Sequence, residues 1–117
     1  MSASQIARQI ADLQLAAYNS KDLDAYCALF HDGAVLVNLP SQEIIAEGIT
    51  AIRDMYQARF ETHGLYCEVH HRTEIGDIAI DRETVHSDGN MPVDILAMYE
   101  VTDSKIARIF FIRGGEL

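Results

Sequence analysis

The chain has 117 residues, enough for one domain with a single hydrophobic core. Its net charge of -9 and isoelectric point near 4.8 argue against binding to nucleic acid or to an anionic membrane surface, because the nine basic residues are scattered. The sequence has no basic segment followed by an apolar run and no stretch long enough to span a bilayer, so we expect a cytoplasmic protein. Cys27 and Cys67 lack the spacing of metal ligands, and we expect them to be reduced thiols.

The first part of the chain has the hydrophobic period of helices. Ser2 and Gln5 have the spacing of a capping box, and apolar residues three and four apart follow until the helix ends near Ser20. A second, shorter helix is predicted to begin near Leu23 and to be closed by Gly33.

A first strand is then predicted over residues 34–39, with a short strand at 44–45 after a polar turn. Thr50 is expected to be the N-cap of a third helix, which is expected to end at residues 63–64. This helix directs four apolar or aromatic residues inward, namely Ile52, Met55, Tyr56 and Phe60.

The second part of the chain has the period of strands. Turn residues at 76–77, 87–90 and 103–104 divide it into four strands of about ten residues, as in an antiparallel meander. Because the helices come first and the strands follow, the sequence predicts an α+β domain over residues 1–117, with three N-terminal helices covering one face of a curved, mainly antiparallel sheet.

Asp94 stands in the middle of the most apolar tract of the sequence, residues 91–99. A buried carboxyl group must be paired, hydrogen-bonded or protonated, so Asp94 indicates either a functional pocket or a structural ion pair. Leu96 and Met98 share its face of the strand and are expected to surround it.

The opposite face of the same strand is also apolar, so both faces of the sheet require burial. Helices cover one face, and a second copy of the chain is the expected cover for the other. We therefore predict a homodimer whose interface includes Ile95, Tyr99 and Phe110.

Several strings along nearly the whole chain resemble the nuclear transport factor 2-like superfamily, in particular its ketosteroid isomerase and SnoaL-like polyketide cyclase branch. The order and separation of the strings carry the resemblance. They are the stretches 19–24 with 28–30, Gly48 followed by 52–56, 92–94 and 105–108. The resemblance implies a cone-shaped α+β fold, a pocket for a small apolar molecule between helices and sheet, and a homodimer.

The resemblance also places five residues at or near the positions by which ketosteroid isomerases polarise a carbonyl oxygen and move a proton. Asp94 matches the protonated aspartic acid of ketosteroid isomerases, and Tyr56 matches the tyrosine that supports their catalytic tyrosine. Gln14 stands at the catalytic tyrosine's own position, and Tyr18 lies one helical turn further along. Asn38 matches the carboxylate base, but an amide cannot accept the proton. Ketosteroid isomerisation itself is therefore not expected.

A second branch, the limonene epoxide hydrolases, places an Asp-Arg-Asp set around a water molecule. Arg82 resembles their arginine, but Thr84 and Phe111 stand at the two aspartate positions, so epoxide hydrolysis is set aside. If Arg82 points inward, it lies beside Asp94 and the two form an ion pair, which opposes the isomerase interpretation.

Other polar residues receive simpler interpretations. Asp81 and Glu83 are expected on an exposed or interface strand. His70 and His71 are adjacent on a strand and point to opposite faces, so they cannot bind one ion, and we predict no metal site.

Two functions remain open. One is a cofactor-free enzyme that is steroid delta-isomerase-like or SnoaL-like and acts by acid/base chemistry on a small apolar carbonyl compound. Its catalytic residues would be Asp94, Tyr56 and Tyr18, in a pocket lined by Gln14, Asn38, Arg82, Leu96, Met98 and Phe111. The other is a non-catalytic ligand-binding or dimeric scaffold protein of the same fold.

Overall fold

A computed structural model describes residues 1–114 of the chain. These residues form three helices and six strands. In chain order the elements are α1 (Ala3–Ser20), α2 (Leu23–Cys27), β1 (Phe30–Asn38), β2 (Ile44–Glu47), α3 (Ile49–Phe60), β3 (Tyr66–Ile75), β4 (Ile78–His86), β5 (Val93–Thr102) and β6 (Lys105–Arg113).

Helix α1 begins as the sequence predicts. The backbone N–H of Gln5 donates to Ser2 Oγ at 3.2 Å, and the backbone N–H of Ser2 donates to Gln5 Oε1 at 2.7 Å, which completes the capping box. The helix ends at Ser20, and Lys21 follows in the left-handed region with φ 57°.

The starts of β1 and α3 differ from the prediction. Strand β1 begins at Phe30 rather than at residue 34, since Phe30 pairs with Ile106 of β6 and ends the second helix early. Helix α3 begins at Ile49, one residue before the expected cap, because Gly48 adopts φ 87° and takes the N-cap position without a side-chain hydrogen bond.

The six strands form one sheet in the order β2-β1-β6-β5-β4-β3. Strands β1 and β6 are parallel, and every other neighbouring pair in this sheet is antiparallel. The predicted meander of β3 to β6 and the α+β class are confirmed.

The helices cover one face of the sheet, which we call the inner face. It carries the core residues Leu36, Ala79, Ala97, Tyr99 and Ile109, which pack with Ala7, Ala11, Ile52 and other residues of α1 and α3. The opposite face, called the outer face, carries Arg82, Asp94, Leu96, Met98 and Phe110. On this face Arg82 of β4 lies opposite Leu96 of β5, and Met98 of β5 lies opposite Phe110 of β6.

The face assignment corrects one expectation. Ile95 and Tyr99, predicted at a subunit interface, lie on the inner face and are buried within the chain, whereas Phe110 lies on the outer face. Strand alternation indicates that two faces are different but does not indicate which one the helices cover.

No helix among residues 1–114 is both long and apolar enough to cross a membrane.

Candidate functional site

A cavity lies between α1, α3 and the inner face of the sheet. The space open to the centres of water molecules is about 50 Å³, room for a few waters or one small organic group. Its lining residues are Gln14, Tyr18, Ile45, Met55, Tyr56, Arg59, Glu83, Val85, Ile95, Tyr99, Phe111 and Arg113. The walls are therefore mostly apolar, with a few polar groups that point at the same space.

Glu83 is the buried carboxyl group of this cavity. Its side chain points to the inner face from the middle of β4, and only 7% of the residue is exposed. Burial raises the pKa of the Glu83 carboxyl above its ordinary value, and the neighbouring Asp81 adds to the rise. Hydrogen bonds from Cys67 and Tyr99, and the charge of Arg72, act in the opposite direction. Glu83 therefore holds its proton more tightly than a carboxyl group in water.

Cys67 is the closest neighbour of this carboxyl group. Its thiol donates to Glu83 Oε2, with 2.6 Å between sulfur and oxygen. Burial raises the pKa of the Cys67 thiol, and the charge of Glu83 raises it further. The thiol therefore stays protonated and acts as a hydrogen-bond donor rather than as a nucleophile.

A chain of hydrogen bonds connects Glu83 to the core. The Tyr99 hydroxyl lies 3.5 Å from Glu83 Oε1 and 3.3 Å from Gln14 Oε1, and Gln14 Nε2 donates to the Tyr26 hydroxyl at 3.4 Å. One hydroxyl carries one proton, so Tyr99 cannot donate to two acceptors at once. Tyr99 therefore divides its one proton between Glu83 and Gln14, and the chain connects the buried carboxyl group of β4 to α1.

Tyr18 and Tyr56 form an aromatic wall opposite the sheet. Their rings meet edge to face at 6.3 Å between centroids, and both residues are buried. Burial raises the pKa of each hydroxyl, so both stay neutral and can donate hydrogen bonds. The expectation that both tyrosines lie at a pocket agrees with this geometry, and their catalytic role stays a prediction.

Asp94, in contrast, lies on the outer face and does not line the cavity. Its side chain is 57% exposed, so the expectation of a buried carboxyl group is wrong. Thr84 Oγ1 donates to Asp94 Oδ1 at 2.7 Å, and the Arg82 guanidinium is 4.0 Å from the other carboxylate oxygen. Because Arg82 is also mostly exposed, this is a weak surface ion pair rather than either of the buried arrangements considered for Asp94.

The predicted substrate-binding residues divide between the two faces. Gln14 and Phe111 line the cavity, as expected. Asn38 lies beside it, where its amide oxygen accepts from Arg113 Nη1 at 3.0 Å and its amide nitrogen donates to Glu43 at 3.3 Å. The other three residues, Arg82, Leu96 and Met98, lie on the outer face and are not brought to the cavity.

Asp81 is structural rather than exposed, which corrects a second expectation. It is 1% exposed on the inner face, and its two oxygens accept from Arg72 Nε at 2.5 Å and Arg72 Nη2 at 2.8 Å. Arg72 also pairs with Asp12 of α1 and so ties the helix to the sheet. Among the described residues, no group of three His, Cys, Asp or Glu side chains could hold a metal ion.

The sequence interpretation missed Glu83, Tyr99 and Arg59 as cavity residues. A usable signal was present: the turn between β4 and β5 places Glu83 opposite Ile95 across the hairpin, on the face whose apolar residues had been recognised. The missing information was that this face, and not the face of Asp94, lies beneath the helices.

Replacement of Glu83 by glutamine is expected to stabilise the fold near neutral pH. Because the folded-state pKa is above its ordinary 4.5, the native state binds a proton more readily, and native stability falls as pH rises from 4.5 through the raised pKa. Glutamine does not titrate, so the variant does not lose stability in this way as the pH rises. The melting temperature of Glu83→Gln should therefore exceed that of the native protein at pH 7 by more than at pH 4.5.

Thermal unfolding between pH 4.5 and pH 8 measures this difference. Glu47→Gln, on the exposed strand β2, is the matched control and should leave the pH profile unchanged. A Glu83→Gln profile parallel to that of the native protein would contradict the raised pKa.

Sequence and structure comparisons place the chain among proteins of the same fold. Residues 12–109 match the family profile of the SnoaL-like domain. An uncharacterized cystatin fold protein from Novosphingobium aromaticivorans is similar, with 28% identity, coverage of 97% of this chain and 99% of that one, and a TM-score of 0.84. A proposed ketosteroid isomerase from Kribbella flavida has 15% identity, 100% and 84% coverage and a TM-score of 0.87.

A limonene epoxide hydrolase-like epoxide hydrolase from M. tuberculosis has 18% identity, 95% and 84% coverage and a TM-score of 0.78. At these identities, the last two similarities show the fold alone. Among proteins with curated descriptions, none matches this sequence significantly.

Proposed function

The chain belongs to the SnoaL-like domain family, and from the site that it builds on this fold we propose that it acts on a small carbonyl compound by cofactor-free acid/base chemistry. The class is steroid delta-isomerase-like or SnoaL-like, with Glu83 as the base that the sequence analysis did not find at Asn38 and with no role for Asp94. The proposal rests on the observation that the buried carboxyl group of Glu83 lines the cavity between two tyrosine-bearing helices and the sheet.

The chemistry follows from the protonation states. A base with a raised pKa accepts a carbon-bound proton more readily, and a pKa nearer to neutrality suits both acceptance and return of that proton. In the proposed reaction, Glu83 carboxylate removes a proton from the carbon next to the carbonyl group, and an enolate forms. The neutral hydroxyl of Tyr56 or Tyr18 donates to the enolate oxygen. Return of the proton from Glu83 completes an exchange or an isomerisation.

The dimensions of the cavity limit the substrate. Pockets for drug-sized ligands are typically several hundred cubic ångströms in volume, whereas this cavity offers about 50 Å³ to the centres of water molecules. A single small ring or short chain matches this space better than a steroid. The low expectation for ketosteroid isomerisation, first based on Asn38 and Gln14, is therefore retained.

A non-catalytic ligand-binding or scaffold protein is the second candidate, and one observation favours it. Among the side chains that the structure describes, no buried nitrogen or oxygen atom lacks a hydrogen-bond partner. The fully buried polar atoms therefore need no ligand to complete their hydrogen bonds, as in a structural core.

Hydrogen exchange in a small ketone distinguishes the two candidates. In D₂O, the enzyme should accelerate deuterium incorporation next to the carbonyl group of cyclohexanone, followed by proton NMR, above the rate in matched buffer. A protein that binds cyclohexanone, detected by chemical-shift changes, but does not accelerate the exchange would support the second candidate instead.

The homodimer and the cytoplasmic location stay predictions. The apolar part of the outer face, which includes Leu96, Met98, Phe110 and Ile112, is partly exposed in the single chain and supports a subunit contact there. Met98→Lys should convert dimers to monomers in sedimentation velocity at micromolar concentration, because a buried unpaired charge weakens an interface. Leu13→Lys, on the exposed side of α1, is the control. A monomeric native protein would contradict the prediction.

A further inference from the structure

The cavity contains two arginines that differ from the other arginines of the chain. Five of the seven arginines lie within 4.0 Å of a carboxylate. The remaining two, Arg59 and Arg113, have no carboxylate within that distance among residues 1–114, and both line the cavity. In a chain with 18 acidic residues and a net charge of -9, two such guanidinium groups at one cavity are an unusual concentration of positive charge.

The fold holds both guanidinium groups in defined positions. Arg59 stands in the last turn of α3, one turn after Tyr56. Arg113 ends β6, where its guanidinium stacks on the ring of Phe111 at 5.8 Å from the centroid and Nη1 donates to Asn38 at 3.0 Å.

The two charges act on the same part of the cavity. Arg59, Arg113 and Tyr56 line the same cavity, and each guanidinium group lowers the pKa of the Tyr56 hydroxyl against the larger rise from burial. Glu43 accepts a hydrogen bond from the Asn38 amide at 3.3 Å, and Glu83, which lines the same cavity, is not within 4.0 Å of either guanidinium group. Both guanidinium groups are therefore available to a further carboxylate.

We propose that the substrate is an oxo acid, whose carboxylate is held by Arg59 and Arg113 while its carbonyl end lies between Tyr56 and Glu83. The inference rests on the proposed acid/base function and specifies its substrate class. A guanidinium group offers a planar pair of donors that matches a carboxylate, and two of them can overcome the repulsion of an acidic protein. The small cavity suits a compact acid with one short apolar body.

Binding of a matched pair of probes tests the proposal. The probes are 3-oxocyclohexane-1-carboxylate and its methyl ester, which have nearly the same size and the same ketone but differ in charge. By isothermal titration calorimetry, the acid should bind at least roughly 10-fold more tightly than the ester, since a hydrogen bond to a charged group has about this effect or more. The preference should shrink as salt is added.

Single substitutions assign the preference to the two arginines. Arg59→Gln and Arg113→Gln should each lower the affinity for the acid on the order of 10-fold and leave that for the ester nearly unchanged. Arg108→Gln changes the net charge equally at the surface pair with Glu100 and is the matched control. Arg59→Lys keeps the charge but loses the planar donors, and an intermediate affinity is expected.

The outcomes separate this inference from the function on which it rests. Equal binding of acid and ester overturns the oxo acid proposal, and so does an acid preference that survives both glutamine variants. If Glu83-dependent exchange in cyclohexanone persists in those cases, the acid/base function stands without the anionic substrate. If neither probe binds and no exchange occurs, both proposals are wrong.

Discussion

Glu83→Gln is expected to reduce deuterium exchange in cyclohexanone by about 10²–10⁴-fold, the usual contribution of a positioned general base. Glutamine has nearly the same shape, and its amide oxygen can still accept from Cys67 while its NH2 group donates to the Tyr99 hydroxyl, so the cavity should keep its geometry. It cannot accept the proton from carbon. The binding of cyclohexanone should change little, which assigns the loss to the chemical step rather than to affinity.

Asp94→Asn is the matched control for this prediction, because Asp94 is the carboxyl group that the sequence alone singled out. Asp94 lies on the outer face, and its replacement by asparagine should leave the exchange rate within about twofold of the native rate, as for a surface change far from the cavity. Loss of exchange in Asp94→Asn with full activity in Glu83→Gln would refute the assignment of the base.

The pH profile of exchange provides an independent readout. The rate should rise with pH as Glu83 loses its proton and should level off above the raised pKa. A profile that levels off at the ordinary pKa of a carboxyl group, 4.5, would point to an exposed carboxylate instead.

Arg72→Met is expected to give the largest loss of stability in the protein, about 3–5 kcal/mol in the free energy of unfolding. Arg72 donates two hydrogen bonds to Asp81, which is 1% exposed, and also pairs with Asp12 of α1. Methionine fills similar space but leaves the Asp81 carboxyl group buried without its partner. That group would then lie two residues from Glu83 on the same face, which adds repulsion between carboxylates.

Urea unfolding measures the change, and two further variants test its cause. Arg108→Met removes the exposed pair with Glu100 and should change stability by only about 0–1 kcal/mol. The double variant Arg72→Met with Asp81→Leu removes both buried charges and should recover much of the loss. If the double variant is no more stable than Arg72→Met alone, the stranded charge is not the cause.

The sequence by itself determined the elements and their order. Hydrophobic period, the Ser2 and Gln5 capping box and the three turns of the second half are local signals, and the structure has α1 and the four long strands close to where those signals predict them. The start of β1 differs from the prediction because it depends on a distant partner. Phe30 joins a strand because Ile106, far along the chain, pairs with it.

Only the tertiary structure decided which face of the sheet forms the site. Residues 94 and 83 stand on opposite faces of adjacent strands, and alternation along a strand makes two faces different without identifying the one beneath the helices. Packing of α1 and α3 makes that choice, since the aromatic and small side chains of those helices bury Ile95, Ala97 and Tyr99. Glu83 therefore points inward, and Asp94 points outward. The pKa of Glu83 is raised because Glu83 lies on the face that the helices cover.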